Sequence, residues 1–212
     1  MSRIEAIVSD FGGVLTTPLL DAFLGLQEHR GIPLEAFGAA LARAAADNGG
    51  ANPLFELETG RLTEAEFLVQ LDAALSAELG RTVDLERFGE TFFEHLKPNE
   101  ELFAFMRTLH ERGYRMAILT NNVREWEPLW RSMLPIDELF ELVVYSGFEG
   151  VRKPDPRIYE VTLDRLGVAP EATLFVDDME INCDAARALG MSAVQFRDNE
   201  SATAEIESAL DG

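Results

Sequence analysis

Short polar motifs follow apolar runs at four places in this sequence, and their residue types suit chemistry on an anionic group. Two motifs bring carboxylates, one brings a hydroxyl and an amide, and one brings an ammonium group. The residues are Asp10, Thr120 with Asn121, Lys153, and Asp177 with Asp178. Each motif lies at the end of a predicted strand or in the loop after it, and such ends converge on one cleft in a parallel sheet. We therefore expect the four motifs to form one site.

The carboxylates of this site indicate a metal. Three carboxylates in one cleft repel each other and raise each other's pKa unless a divalent cation holds them. Their hard oxygen atoms suit Mg²⁺, which keeps some of its waters and accepts phosphate oxygens as further ligands. A lysine and a threonine hydroxyl beside the cation can hold the remaining charge of a phosphate group. The site is thus predicted to bind Mg²⁺ and the phosphoryl group of a small substrate.

The stretch around Asp10 is the centre of this prediction. Ile7-Val8-Ser9 is predicted to be a short strand, and Gly12 and Gly13 let the backbone approach whatever Asp10 contacts. Taken alone, the stretch is equally consistent with a strand followed by a glycine turn whose aspartate caps a helix. The three other motifs favour the functional interpretation.

Together the motifs resemble those of the haloacid dehalogenase (HAD) superfamily of hydrolases, and the resemblance spans nearly the whole chain. They occur in the family's order as Asp10-Phe11-Gly12-Gly13-Val14, Leu119-Thr120-Asn121-Asn122, Arg152-Lys153-Pro154-Asp155-Pro156 and Phe175-Val176-Asp177-Asp178 with Asn182. The first motif looks most like the phosphatase-like branch that includes the N-terminal domain of soluble epoxide hydrolase. The resemblance implies a Mg²⁺-dependent phosphatase that hydrolyses a small phosphorylated metabolite.

The resemblance also implies a role for each residue of the site. Asp10 would be the nucleophile and would form an aspartyl-phosphate that water then hydrolyses. The metal ligands would be Asp10, the backbone carbonyl of Gly12 and Asp178, with Asp177 close by. The transferred phosphoryl group would be held by the Thr120 hydroxyl, the Asn121 backbone amide and the Lys153 ammonium. Thr120 and Lys153 would be catalytic as well, because they contact the reacting group.

Position 12 departs from the family pattern. Most phosphatases of the family carry a second aspartate there, which serves as general acid for the leaving group and as base for water, whereas this sequence has Gly12. Three interpretations stay open: a slow or selective phosphatase, a 2-haloacid dehalogenase, and a HAD-fold binding protein without turnover. The pair Asp177-Asp178 argues against the dehalogenase, because that reaction needs no metal.

The elements that position these motifs are predicted to be those of an α/β fold. From residue 97 on, strand and helix alternate, which is typical of a doubly wound, Rossmann-like parallel sheet. Between residues 16 and 96, apolar residues recur at helical spacing and no strand is evident, which indicates an inserted α-helical cap. We predict a catalytic core of residues 1–15 and 97–212 with a cap of residues 16–96.

A few residues of the cap and the core allow two interpretations. Glu58, Gly60 and Arg61 precede a helix-capping box and could face a substrate, but a solvated loop is the more typical interpretation. Trp126 and Trp130 lie one helical turn apart, which favours shared packing over a platform that stacks against a ligand.

The composition of the chain limits its possible partners and its compartment. The chain has 212 residues, of which 47% are apolar, and its net charge of −20 repels nucleic acid and anionic membranes. The only cysteine, Cys183, excludes an internal disulfide and fits a reducing compartment. We therefore expect a cytoplasmic enzyme whose partner is a small phosphorylated substrate, with neither nucleic acid nor membrane as a partner. The sequence carries no signal for the oligomeric state.

Overall fold

A computed structural model describes residues 3–211, and a sheet of five parallel strands lies at its centre. The strands are β1 (Ala6–Ser9), β2 (Arg115–Thr120), β3 (Leu142–Tyr145), β4 (Thr173–Asp177) and β5 (Ser192–Gln195). Their order across the sheet is β3-β2-β1-β4-β5. The prediction of a doubly wound α/β fold is confirmed. Residues 1, 2 and 212, which the sequence assigns to the core, lie outside the described part of the chain.

The central position of β1 decides where the polar motifs meet. This strand pairs with β2 on one side and with β4 on the other, where Ser9 lies next to Val176. The residues that follow these strands all leave the sheet at its carboxyl edge, where open parallel sheets bind their ligands. Asp10, Thr120 and Asp177 therefore lie at one edge of the sheet.

Residues 3–211 also form eleven α-helices. They are α1 (Leu19–Arg30), α2 (Leu34–Asp47), α3 (Pro53–Glu58), α4 (Glu64–Leu79), α5 (Phe88–Glu94), α6 (Glu100–Glu111), α7 (Glu127–Arg131), α8 (Ser146–Glu149), α9 (Pro156–Leu166), α10 (Glu180–Ala188) and α11 (Asn199–Asp211). None of these described helices is long and apolar enough to cross a membrane.

Apolar side chains cover both faces of the sheet. Because side chains alternate along a strand, Ala6 and Val8 contribute to one apolar cluster and Ile7 contributes to the other. The first cluster lies beneath α9 and α10. The second cluster lies beneath α6 and α11, and it continues without interruption into the helices of residues 16–96. Burial on both faces explains why apolar residues predominate in the central strands.

The helices of residues 16–96 pack on one another, with α2 against α4 and α1 against α5. The predicted capping box begins α4, because Thr63 and Glu66 each accept a hydrogen bond from the other's backbone amide. Gly80 ends this helix with a left-handed φ of 64°. The sequence predicts four helices in this region, and the structure has five.

The helix that the sequence prediction missed is α3. A loop is predicted over residues 47–53, but Pro53 already lies in the first turn of this helix. The Asn52 side chain caps it by accepting a hydrogen bond from the Leu54 amide at 3.0 Å. An asparagine followed by a proline is a typical helix start. This pair was therefore the signal that could have revealed α3.

The chain enters and leaves the stretch 16–96 at adjacent points. The Thr17 amide donates to the Lys97 carbonyl at 2.8 Å, and the Asn99 amide donates to the Leu15 carbonyl at 2.8 Å. The helices of this stretch thus form one insertion after β1. The division into a core of residues 1–15 and 97–212 and a cap of residues 16–96 remains a prediction.

Two local differences concern the segments after β2 and β3. A loop is predicted over residues 146–154, but its first four residues form α8, which ends at Gly150 with a φ of 73°. The helix predicted near Trp126 begins as a 3₁₀ turn, Arg124–Trp126, and continues as α7. Both segments lie at the carboxyl edge of the sheet, where short turns direct side chains towards the site.

Candidate active site

A buried lysine lies at the centre of the site. The Lys153 ammonium nitrogen is 2.9 Å from Oδ1 of Asp10 and 2.6 Å from Oδ2 of Asp177, and its side chain is 0% exposed. The lysine therefore links the residue after β1 to the last residue of β4. A buried ammonium group is tolerated only when it is paired in this way.

The Asn121 side chain fixes the position of this lysine. Its Oδ1 accepts a hydrogen bond from the Lys153 amide at 2.8 Å, and its Nδ2 donates to the Lys153 carbonyl at 3.1 Å. The two bonds hold the backbone of the lysine loop against the end of β2. This anchoring role of the side chain adds to the predicted role of the Asn121 backbone amide, which stays a prediction.

Both carboxylate oxygens of Asp177 are used by the protein. Oδ1 accepts hydrogen bonds from the Met179 amide and from Nδ2 of Asn182, each at 2.9 Å, and Oδ2 accepts from Lys153. Asp177 is 0% exposed. Its geometry therefore suits a residue that positions the lysine beside a metal, whereas the less buried Asp178 has a carboxylate that is free to be a ligand.

The three aspartates form one acidic cluster. One carboxylate oxygen from each of Asp10, Asp177 and Asp178 lies within 4.8 Å of the others. Three carboxylates beside a single ammonium group leave two uncompensated negative charges, which one divalent cation would neutralise. Within residues 3–211, this is the group of acidic side chains whose spacing suits a metal ion.

Gly13 makes room for this cluster. It adopts a φ of 78°, and a Cβ atom built there would lie 2.6 Å from Oδ2 of Asp178. Any side chain at this position would displace the Asp178 carboxylate. The second glycine after Asp10 is thus required by the acidic cluster itself.

The electrostatics of Asp10 reflect its surroundings. Burial raises the pKa of Asp10 from 3.8 to about 7, with Lys153 lowering it and the two other aspartates raising it. Burial and the neighbouring Asp177 also raise the pKa of Asp178. For Lys153, burial lowers the pKa, but the paired carboxylates outweigh it and the net direction is upward. The cluster therefore resists full ionisation in the absence of a cation.

We predict that Mg²⁺ stabilises the protein more as the pH rises. Because the pKa of Asp10 is raised from 3.8 to about 7, its proton stabilises the metal-free fold below about pH 4, and this stabilisation is lost as the pH rises through about 7. Mg²⁺ must displace the same proton. The increase in Tm with saturating Mg²⁺ should be small at about pH 5 and complete at about pH 8, as measured by scanning calorimetry.

The matched variant for this measurement is Asp178→Ala, which removes one carboxylate of the cluster without touching Asp10. We expect its Tm to be insensitive to Mg²⁺ at both pH values, because the remaining carboxylates hold the cation weakly. Equal Mg²⁺ shifts for the unaltered protein at the two pH values would contradict the link between Asp10 and the metal.

The two remaining predicted site residues lie at the same edge. Thr120 is the last residue of β2 and is 1% exposed. Gly12 lies outside the positive-φ region, and a Cβ atom built there would come within 3.1 Å of the Leu19 side chain. Leu19 is 40% exposed and can move. The backbone at position 12 therefore accepts a side chain, unlike the backbone at Gly13.

The structure decides against the favoured interpretation of Glu58. Its predicted solvated loop is wrong, because Glu58 ends α3 and is only 18% exposed. It pairs with Nε of Arg152 at 2.8 Å, and the Arg152 guanidinium lies 4.0 Å from the centre of the Phe55 ring. Burial raises the pKa of Glu58, and Arg152 lowers it in part. This pair joins α3 to the residue that precedes Lys153.

A cavity of about 140 Å³ lies between the insertion and the acidic edge of the sheet. Glu58, Gly12 and Asn121 line it, and so does Trp126. Trp126 is 6% exposed and packs against Phe92 at a ring distance of 5.6 Å. The expectation of a packing role fits both tryptophans, and Trp126 forms part of the cavity wall as well.

The sequence is similar to known proteins over most of its length. Residues 4–190 match the family described as haloacid dehalogenase-like hydrolase. Bifunctional epoxide hydrolase 2 of Sus scrofa is 26% identical over 216 residues, which cover 96% of this chain and 38% of that protein. Glyceraldehyde 3-phosphate phosphatase of Pyrococcus abyssi (strain GE5 / Orsay) is 36% identical over 113 residues, which cover 52% of this chain and 47% of that protein. The chain thus spans less than half the length of these relatives.

A solved structure gives the same result for the fold. A HAD family enzyme from Bacteroides thetaiotaomicron superimposes with a TM-score of 0.75 at 22% identity, covering 97% of this chain and 99% of that chain. The same bacterial enzyme has been solved in complex with magnesium and inorganic phosphate, with a TM-score of 0.66. Because the family match covers most of the sequence and the fold agrees, the chain belongs to the haloacid dehalogenase-like hydrolases.

Proposed function

We propose that this hydrolase is a Mg²⁺-dependent phosphatase that acts on a small phosphorylated metabolite through an aspartyl-phosphate on Asp10. One contact supports it above all: the ammonium group of Lys153 lies 2.9 Å from Asp10 inside a cluster of three carboxylates. An ammonium beside a buried carboxylate nucleophile can neutralise both the nucleophile and an incoming phosphate.

The residues present fit a bound Mg²⁺. The acidic cluster lacks two positive charges, and Gly13 leaves space for the Asp178 carboxylate beside Asp10. Asp10, the Gly12 carbonyl and Asp178 would hold the cation, with Asp177 behind them. When bound, Mg²⁺ would neutralise the cluster and polarise the phosphoryl oxygens.

Asp10 carries out the first step. Its Oδ1 accepts a hydrogen bond from the Phe11 amide at 2.7 Å and lies beside Lys153, so Oδ2 is the oxygen left to attack. Oδ2 forms a bond to phosphorus as the bond between phosphorus and the ester oxygen breaks. The ester oxygen leaves with the bonding electron pair and takes a proton from water in the cleft.

The second step restores Asp10. A water molecule attacks the phosphorus of the aspartyl-phosphate and gives a proton to the hydroxide that the first step left in the cleft. The bond between phosphorus and Oδ2 breaks, and inorganic phosphate leaves with the carboxylate regenerated. The Thr120 hydroxyl and the Asn121 backbone amide hold the phosphoryl oxygens in both steps. Lys153 stabilises the negative charge on those oxygens as it develops.

The relatives support a phosphorylated substrate. The protein of Pyrococcus abyssi is a glyceraldehyde 3-phosphate phosphatase by name, and the enzyme of Bacteroides thetaiotaomicron binds magnesium and inorganic phosphate in its structure. The first aligns with 52% of this chain, and the second shares its fold. The sequence relative favours phosphate chemistry over release of a halide.

The test is a hydrolysis screen. Phosphate release is measured for a set of phosphorylated metabolites with Mg²⁺ and with EDTA, and halide release is measured for 2-haloacids. Mg²⁺-dependent phosphate release is the expected result. Halide release without metal would instead identify a dehalogenase, and the lack of either product, with Mg²⁺ still bound, would identify a binding protein.

Gly12 leads to a prediction about the leaving group. A positioned general acid contributes about 10²–10⁴-fold, mostly for poor leaving groups such as alkoxides. Without it, acyl, aryl and anomeric sugar phosphates should be better substrates than simple alkyl phosphates. We expect Gly12→Asp to raise kcat/KM for ethyl phosphate by up to about 10²-fold and to change kcat/KM for acetyl phosphate little.

The control for this experiment is Gly12→Asn, which has nearly the same shape but no acid. Both variants should fold, because Leu19 is the flexible side chain that must move. Circular dichroism and the Mg²⁺ shift of Tm check this before kinetics. A folded Gly12→Asp that gains nothing on ethyl phosphate, or an equal gain in Gly12→Asn, would show that another group supplies the proton.

A further inference from the structure

The cavity beside the acidic cluster indicates which ester group the substrate carries. It begins at the loop after β1, where Phe11 and Gly12 line it, and it extends under the inserted helices. Asn121 lies at the same border. A phosphate group held at Asp10 would therefore direct its ester group into this cavity.

The wall of the cavity is mostly apolar, and much of it is aromatic. Six aromatic side chains from the insertion and from the segment after β2 contribute to it, namely Phe23, Phe37, Phe88, Phe92, Phe93 and Trp126. They contact one another, with ring distances of 5.1 Å for Phe23 and Phe37 and 5.2 Å for Phe23 and Phe92. Such a wall gains free energy by covering apolar surface and offers few partners to a hydroxyl group.

Most polar atoms of the wall are already engaged. Each polar residue makes a hydrogen bond within the protein, namely Thr16 with the Gly13 amide (3.1 Å), Glu58 with Nε of Arg152 (2.8 Å), Asn121 with the Lys153 amide (2.8 Å) and Asn122 with the Val123 amide (2.9 Å). Among residues 3–211, Oε1 of Glu58 and Nδ2 of Asn122 have no such partner. The several hydroxyl groups of a sugar or a nucleoside would therefore exceed the partners that this wall offers, which costs binding free energy.

The charges at the cavity disfavour a second anionic group. Among residues 3–211, no lysine or arginine lines it, and the nearby Arg152 is paired with Glu58 and packed on Phe55. The Glu58 carboxylate itself would repel a carboxylate or a second phosphate on the substrate. A bisphosphate or a nucleotide therefore fits this wall poorly.

We infer that the substrate is a phosphate monoester whose ester group is uncharged and apolar, of the size of a phenyl or a benzyl group. This inference rests on the proposed phosphatase function and specifies its substrate class. The cavity volume of about 140 Å³ sets the size, since cavities of similar volume in proteins hold a benzene ring.

Binding of phosphonates tests the inference without turnover, because their bond between phosphorus and carbon is not hydrolysed. Benzylphosphonate and methylphosphonate are titrated into the unaltered protein with Mg²⁺ in a calorimeter. Benzylphosphonate should bind at least about tenfold more tightly than methylphosphonate, because only its ring fills the cavity and contacts the aromatic wall. Likewise, kcat/KM for benzyl phosphate should exceed that for glycerol 3-phosphate by about tenfold or more, although both leaving groups are alkoxides.

A matched pair of variants locates the binding site. Leu54→Trp places a large side chain in the cavity from α3, and Val69→Trp places the same side chain on α4 at a position that is 71% exposed. We expect Leu54→Trp to remove the preference for benzylphosphonate and to keep the affinity for methylphosphonate. Val69→Trp should change neither.

The outcomes separate the inference from the function on which it rests. If methylphosphonate binds and phosphate esters are hydrolysed, but benzylphosphonate binds no better, the apolar substrate class is wrong and the phosphatase stands. The same holds if glycerol 3-phosphate is the better substrate. If no ester is hydrolysed and neither phosphonate binds, both the proposed function and the substrate class are wrong.

Discussion

Asp10→Asn should lower kcat by at least about 10⁴-fold, the order of loss seen when a nucleophile is removed from a covalent mechanism. The amide oxygen is too weak a nucleophile to attack phosphorus, although the side chain keeps its shape and can still accept the hydrogen bond from the Phe11 amide. Lys153 keeps Asp177 as a partner at 2.6 Å. The fold should therefore remain intact.

The thermal stability of Asp10→Asn tests whether the ionised Asp10 carboxylate destabilises the metal-free protein. Because the pKa of Asp10 is raised to about 7, the ionised carboxylate is disfavoured in the metal-free protein at higher pH. The neutral asparagine should then leave the metal-free Tm at about pH 8 equal to or above that of the unaltered protein. A clear decrease in Tm would contradict this account.

A direct measurement of the intermediate completes the test. After a rapid acid quench during turnover, the peptide that contains Asp10 should carry one additional phosphoryl group by mass spectrometry, and the variant should carry none. Asp164→Asn, at an exposed position on α9, is the matched control and should retain full activity. Activity of Asp10→Asn near that of the unaltered protein would refute the nucleophile assignment.

Lys153→Met should be the most destabilising of the conservative substitutions in the site. It keeps the apolar stem of the side chain and removes the ammonium group that lies beside Asp10 and Asp177. Removing one partner of a buried ion pair typically costs about 3–5 kcal/mol, because the other charge is left uncompensated. We expect a loss of this size in the free energy of unfolding at about pH 8, measured in urea without metal.

The pH dependence distinguishes this loss from a simple packing defect. At about pH 5.5 the Asp10 carboxyl is protonated, so fewer charges are left without a partner and the loss should be smaller. Lys97→Met is the matched control, since Lys97 is exposed and is the only other lysine in the sequence. Losses that are equal at the two pH values, or equal in the two variants, would contradict the role assigned to Lys153.

Much of the fold and the identity of the acidic edge could be predicted from the sequence, because they depend on local signals. Ile7-Val8-Ser9 is an apolar run that ends at Asp10, and the same pattern precedes Asp177. Parallel pairing then brings the two aspartates to one edge whatever the details of the loops. The parallel sheet follows from short alternating strands and helices, whereas the order β3-β2-β1-β4-β5 came from the structure.

The cavity could not be predicted, because it depends on contacts between distant parts of the chain. Glu58 pairs with Arg152 across 94 residues of sequence, and no local pattern marks that pair. Trp126 is part of the wall because the 3₁₀ turn after β2 directs its ring towards the inserted helices. The size and polarity of the space between them are results of packing and not of any motif.

The adjacent ends of the insertion have a consequence for how such enzymes diversify. The Thr17 amide hydrogen-bonds to the Lys97 carbonyl, and the Asn99 amide hydrogen-bonds to the Leu15 carbonyl. Residues 18–96 therefore leave the core and return to it at neighbouring points. A helical segment of another length could therefore join the same two points with the register of the sheet and the aspartates unchanged, provided that it offers an apolar surface for Trp126. The residues that line the cavity can then vary while the aspartates keep their positions.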